Sequence, residues 1–132
     1  MKLTRLSWDE PFPACRELTL PEAPPEGGSA GDGLVLVADE ATRDWCLGAG
    51  RSGLCTRRFR ADLVVDHLEI PEPGTGCRCG DAFFSVIARH KRCHPGCALD
   101  PRDCRLTGRV LFLKLVAAGQ VCAGDELSRI PD

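Results

Sequence analysis

A mostly β fold with one or two short helices is what this sequence predicts. Three observations carry that prediction. The apolar runs are short, about four to eight residues, and turn residues bound them. Gly and Pro together make 24 of 132 residues, high for a helical bundle and usual for strands joined by turns. Only the stretch after Asp39 carries both a start and a stop signal for a helix. The length fits one domain, since domains typically run about 100–150 residues.

The elements follow in chain order. Residues 1–33 read as an irregular N-terminal segment, in which Leu3, Leu6 and Trp8 can alternate on a short strand. Residues 21–33, PEAPPEGGSAGDG, are a Pro/Gly loop. Leu34–Val37 is an apolar run that reads as a buried strand. Asp39 is a candidate N-cap for a helix through Trp45, Cys46 and Leu47, closed by Gly48. Phe59–Leu68 contains Leu63, Val64 and Val65 and reads as an irregular strand. Ile70–Gly74 is a rigid turn. Cys77–Ile87 ends in Phe83-Phe84-Ser85-Val86-Ile87, a strong strand by its aromatic and β-branched content. Residues 89–105 are polar and broken by Pro95, Gly96 and Pro101, a long loop. Arg109–Val116 is the best strand. It is expected to pair antiparallel with Val121–Ile130 through a turn at residues 117–120. Residues 34–132 then form a β barrel or sandwich.

Composition excludes several classes. Hydrophobic residues are 43% and charged residues 27%, which is globular rather than disordered. A net charge of −2 gives no field for nucleic acid or an anionic membrane. The longest apolar run, Val110–Val116, is interrupted by Lys114 and falls far short of the roughly 20 residues of a membrane span. The start MKLTRLSWDE meets acidic residues before any apolar core, unlike a secretory signal, so a cytoplasmic, reducing location is expected.

Cysteine is the outlier, with nine residues. Structural disulfides are rare in reducing compartments, which leaves core filler, metal or cluster ligands, or reactive thiols. The most informative stretch is Arg89-His90-Lys91-Arg92-Cys93-His94-Pro95-Gly96-Cys97. Nearby cations favour thiolate over thiol, so Cys93 should ionise more readily than a free cysteine. A thiolate attacks sulfur donors or binds metal, and a long loop in a compact domain is usually functional.

Other readings of the same residues stay open. Cys93, His94, Cys97 and Cys104 can be a zinc set, although the Cys-x3-Cys-x6-Cys spacing lacks the paired Cys-x2-Cys form and Cys93 and His94 are adjacent. An iron–sulfur cluster can add Cys77 and Cys79, which as neighbours on one strand face are otherwise a redox pair or partly buried small residues. The segment can also be a plain polar surface loop. Cys46 reads as core, Cys55 as a possible thiolate beside Arg57 and Arg58, and Cys15 and Cys122 as structural. Arg57, Arg58 and Arg60 can bind an anion such as a phosphate, or form a solvated strand edge. His67 reads as structural. No P-loop, Rossmann glycine motif, serine elbow or HExxH motif is present.

Three segments together resemble the MOSC domain, the molybdenum cofactor sulfurase C-terminal module. Arg58-Phe59-Arg60-Ala61-Asp62-Leu63 is similar to a family segment in which Glu-Asn-Leu is usual. Gly76-Cys77-Arg78-Cys79-Gly80-Asp81-Ala82-Phe83-Phe84-Ser85-Val86 is similar to the family's Gly-x-x-x-Gly-x-Ala-x-x-x-Val stretch, and it too leads to a cysteine-bearing loop. Thr107–Val110 and Gly119-Gln120-Val121-Cys122-Ala123-Gly124-Asp125 resemble the closing strands. The resemblance covers about residues 34–130, and the Cys-His-x-x-Cys form looks like small stand-alone members. The family's N-terminal strands are shortened here, with Gly31-Asp32 standing where its Gly-Asp loop would be.

The resemblance implies a β-barrel of the pyruvate-kinase type. It implies a sulfur-carrier or cofactor-binding accessory protein in molybdenum or tungsten cofactor maturation. Cys93 would hold sulfane sulfur, with Arg89, Lys91, Arg92, His94, Cys97 and Cys104 in support. Arg57, Arg58 and Arg60 would hold the pterin cofactor's phosphate. Partners would be a separate cysteine desulfurase or other sulfur donor, since no pyridoxal lysine motif is present, and a molybdenum cofactor or molybdoenzyme acceptor. The alternatives are a zinc or iron–sulfur module built on Cys93, Cys97 and Cys104, and a small pterin–molybdenum enzyme acting on N-hydroxylated compounds.

Overall fold

A computed structural model describes residues 1–9, 13–20, 34–48, 59–87 and 109–130. Their architecture is mostly β. Nine strands accompany one helix among these residues. The strands are β1 (Leu3–Arg5), β2 (Cys15–Leu18), β3 (Leu34–Asp39), β4 (Leu63–Val65), β5 (Gly76–Cys79), β6 (Ala82–Val86), β7 (Leu111–Ala117), β8 (Gly119–Cys122) and β9 (Ser128–Arg129). The helix α1 spans Glu40–Leu47.

Seven strands form one sheet in the order β1-β4-β3-β7-β6-β5-β9, and β2 and β8 form a separate two-stranded ribbon. The large sheet is curled. Residues 124–127, which lead into β9 at one edge, bond back to β1 at the other. Leu3 N donates to Asp125 O at 2.8 Å, and Gly124 N donates to Leu3 O at 2.8 Å. Neither edge is left as a long open row of backbone donors, the arrangement that invites aggregation.

Alternation explains why the central strands are apolar throughout. In β3, Val35 and Val37 enter one core while Leu36 and Ala38 face a second. In β7, Leu111, Leu113 and Leu115 enter the first core and Phe112 the second. Strands buried on both faces read as continuous apolar runs rather than as alternating ones. The second core lies between the outer face and α1, where Trp8, Cys46, Phe59 and Ala61 collect. Trp8 and Phe59 meet edge to face, with ring centroids 5.1 Å apart.

The helix forms where expected. Asp39 is its N-cap and accepts from Thr42 N at 2.7 Å, which satisfies an otherwise orphaned donor. Such a cap contributes about 1 kcal/mol. Gly48 N closes the last turn onto Asp44 O and Trp45 O. Because β3 and β4 are parallel neighbours, the chain must cross over between them, and α1 lies in that crossover.

Three expectations change. The first 33 residues are not wholly irregular, since β1 joins the large sheet and β2 pairs with β8. Leu3 and Leu6 supply the apolar anchors for that arrangement, and both are fully buried. The predicted strand Cys77–Ile87 is a hairpin, β5 and β6, reversed at Gly80-Asp81. The expected pairing of 109–116 with 121–130 does not occur among the described residues. There β7 pairs with β3 and β6, β8 with β2, and β9 with β5. The reason lies at the end of β7. Gly119 packs directly on the Asp81 backbone, so the chain crosses the β5–β6 turn instead of folding back along β7. Asp81 N donates to Gln120 O at 3.0 Å and fixes this crossing. The proposed loop at 21–33 lies outside the described residues.

Candidate functional site

The residues expected to carry the chemistry divide into two groups. Arg57, Arg58, Arg89, Lys91, Arg92, Cys93, His94, Cys97 and Cys104 lie outside the described residues, as does Cys55. What the structure does define is the pair of strands between which residues 88–110 run. β6 and β7 are antiparallel neighbours, with Phe84 opposite Leu115 and Val86 opposite Leu113. Ile87 N donates to Phe112 O at 3.0 Å, extending the pairing one residue past β6. Both ends of the cysteine-rich segment are therefore tied to the centre of the sheet.

Cys77 and Cys79 occupy alternate positions of β5 and point to the same face, as the sequence implies. That face is the first core. Cys77 is 1% exposed and Cys79 fully buried. Burial raises the Cys77 thiol above its ordinary value, and the Arg129 charge only partly offsets this. Burial pushes Cys79 up to about 12, with the negative charges of Asp125 and Glu126 adding to it. A metal ligand or a nucleophile must be a thiolate. These two thiols hold their protons and act as small apolar filler. Cys46 is buried likewise in the second core. Among the described residues, no group of three His, Cys, Asp or Glu is arranged to hold a metal ion.

The raised Cys79 thiol has a consequence for stability. Below about pH 9.0 the thiol is protonated in both folded and unfolded chains, and its contribution is present in full. As pH rises toward about 12, the unfolded chain ionises there while the folded chain resists, so stability is lost across that window. The chain contains no tyrosine, so absorbance near the thiolate band follows the cysteines cleanly. Urea unfolding midpoints should fall less steeply over this window for Cys79→Ala than for the parent. Equal slopes would contradict the assignment.

Arg60 is the described member of the expected anion-binding string. Its Nε donates to Asp9 Oδ2 at 3.0 Å, and one terminal nitrogen donates to Phe59 O at 2.8 Å. This pairs the Arg60 Nε with a carboxylate at the surface. The neighbouring Asp62 is also committed: its Oδ2 accepts from Leu36 N at 2.9 Å, and its own N donates to Leu36 O at 2.9 Å. It ties the start of β4 to β3. His67 is an exposed surface residue whose Nδ1 lies 3.0 Å from Asp66 Oδ1.

Two features escaped the sequence reading. Arg43 is 8% exposed on α1, and its Nε donates to Trp8 O at 2.9 Å, which locks the N-terminal segment over the second core. Cys15 and Cys122, read as structural among reduced thiols, are joined in a disulfide. They face each other directly in the β2–β8 ribbon, with Cα atoms 4.0 Å apart. No local spacing encodes that contact, since 107 positions separate the two.

No helix among the described residues is long and apolar enough to cross a membrane. No family model, curated protein or solved structure matches this chain.

Proposed function

We propose that this chain is a sulfur carrier, with Cys93 accepting sulfane sulfur from a donor persulfide and passing it to a metal-cofactor acceptor. One observation carries the reading. Cys93 stands in sequence among three cations, Arg89, Lys91 and Arg92, and two histidines, His90 and His94. Cations favour the thiolate. The segment leaves β6 and enters β7, adjacent strands of the curled sheet, so a reactive thiol would be tethered to a rigid support.

The transfer balances without an added oxidant or reductant. The Cys93 thiolate attacks the outer sulfur of the donor's S–SH group. A new S–S bond forms on Cys93 as the donor's S–S bond breaks, and the donor cysteine leaves as a thiolate. Arg89, Lys91 and Arg92 hold the negative charge on the carrier before and after the step. Delivery repeats the exchange on a thiolate of the acceptor enzyme: that thiolate attacks the outer sulfur of the Cys93 persulfide, the Cys93 S–S bond breaks, and Cys93 leaves as a thiolate.

A resident pterin fits less well than a transient one. Of the arginines expected to hold its phosphate, Arg60 is paired with Asp9. The cofactor or its enzyme is therefore proposed as the acceptor rather than as a bound group. A cluster extended to Cys77 and Cys79 would have to ionise two core thiols.

The test is mass spectrometry after incubation with a desulfurase and cysteine, beside metal analysis and a melting curve. The parent should gain the mass of one or more sulfur atoms, and Cys93→Ser should lose that gain while melting as the parent does. Undiminished persulfide on Cys93→Ser removes Cys93 as the carrier. Metal release with a loss of several kcal/mol in the same variant would establish a structural metal site instead.

A further inference from the structure

We propose that Cys15–Cys122 is a thiol–disulfide exchange site that takes an external dithiol reductant and clasps β2 to the rest of the fold. The geometry points to exchange at one sulfur. Cys15 is exposed on β2, while Cys122 is half-buried on β8. Cys122 is further fixed from behind, where its N donates to Asp125 Oδ2 at 2.7 Å. Ala123 N donates to Ala14 O at 2.9 Å, which marks the cysteines as a non-hydrogen-bonded pair, the position where side chains approach most closely. An incoming thiolate therefore reaches the Cys15 sulfur first.

The chemistry closes in two displacements. The first thiolate of the dithiol attacks Cys15 Sγ, the S–S bond to Cys122 breaks, and Cys122 leaves as a thiolate that takes a proton from water. The second thiolate of the reductant then attacks its own sulfur in the mixed disulfide and releases Cys15. Two electrons pass from the dithiol, which ends as a disulfide, to the protein, which ends with two thiols. The free cysteines among the described residues do not compete. Cys46, Cys77 and Cys79 are buried, and the last two are held protonated.

The bond matters because, among the described residues, little else holds β2. This strand belongs to no sheet but its ribbon with β8, and it is exposed at Cys15, Arg16 and Glu17, with only Leu18 buried. The Arg16 side chain adds two long contacts, 3.4 Å to Leu6 O and 3.5 Å to Asp62 O. The rest of the core packs between other strands. Opening the disulfide should thus release β2 alone, a local event rather than global unfolding.

Dithiothreitol, followed by alkylation and mass spectrometry under native conditions, tests the site. Cys15 and Cys122 should be labelled before Cys46, Cys77 and Cys79. In Cys122→Ser, glutathione disulfide should trap a mixed disulfide on Cys15. Hydrogen exchange over residues 15–18 should quicken by at least about tenfold on reduction while β7 stays protected. The Cys15→Ser/Cys122→Ser variant should match the reduced parent, and the reduced parent stands in if that variant folds poorly. A disulfide that opens only when the whole protein unfolds would overturn the proposal. Unchanged exchange in β2 after reduction would also overturn it.

Discussion

Phe84→Ala should cost about 4 kcal/mol of stability, while Phe83→Ala next to it should cost less than about 1 kcal/mol. The two residues are chemically identical and adjacent, so only their faces differ. Phe84 is 1% exposed in the first core and is among the largest fully buried side chains of the described residues. Removing it deletes about a full aromatic burial and leaves a cavity that β6 and β7, paired along their length, cannot easily close. Phe83 is 36% exposed on the opposite face. Its visible partner is the Arg78 guanidinium, 5.7 Å above the ring, a contact of modest value at an exposed site. Urea denaturation of both variants reads the difference. Similar losses would mean that β6 does not present Phe84 inward as described.

That pair also marks what the sequence could and could not convey. A short continuous apolar run is a local signal, so β3 and β7 were legible, as was α1 from Asp39 to Gly48. The β5–β6 hairpin was missed although its signal is present. Odd positions 77 and 79 face the core in β5, while even positions 82, 84 and 86 do so in β6. The phase changes across Gly80-Asp81, as it must where a two-residue turn reverses the chain. Partner choice was not legible. Nothing within Gly119–Cys122 says that it pairs with Cys15–Leu18 rather than with β7, because that preference arises from contacts far away in sequence. The disulfide was hidden for the same reason. An argument from compartment then pointed away from it.

The candidate site was legible in a different sense. The cationic setting of Cys93 is a property of composition within nine residues and needs no fold. Arg60 fared otherwise. The acidic residue near it in sequence, Asp62, is committed to Leu36, and the carboxylate that pairs with Arg60 comes from Asp9, far along the chain. A basic string says that anions are welcome but not which anion arrives. Cys77 and Cys79 show the same gap. Their shared face was readable, but whether it met solvent or core depended on the strands laid against it.

Gly119→Ala should lower stability by about 3 kcal/mol or more, and this outcome bears on what the MOSC-like motifs mean. A Cβ on Gly119 would overlap the carbonyl group of Asp81, which is backbone and cannot swing aside. Gly80, on the other side of the same contact, has φ +55, and a Cβ there would overlap Gln120 O and lie 2.8 Å from Asp125 Oδ2. Gly74 is the control. Its φ is +88, but nothing lies within 4 Å of the position a Cβ would take, so Gly74→Ala should cost only the conformational part, about 1 kcal/mol. Denaturant midpoints for the two variants compare close packing with backbone strain. Gly119→Ala no worse than Gly74→Ala would show that β8 and the β5–β6 turn do not meet as closely as described. If the larger loss is found, Gly80 and Gly119, two of the glycines that carry the resemblance, are explained by one backbone crossing, and Asp125 by its bond to Cys122 N. Those positions then speak for the fold, and the chemistry rests on the cysteine-rich segment. It follows that Gly119→Ala, kept below its lowered melting point, should still accept sulfur on Cys93, whereas Cys93→Ser should melt normally and accept none there.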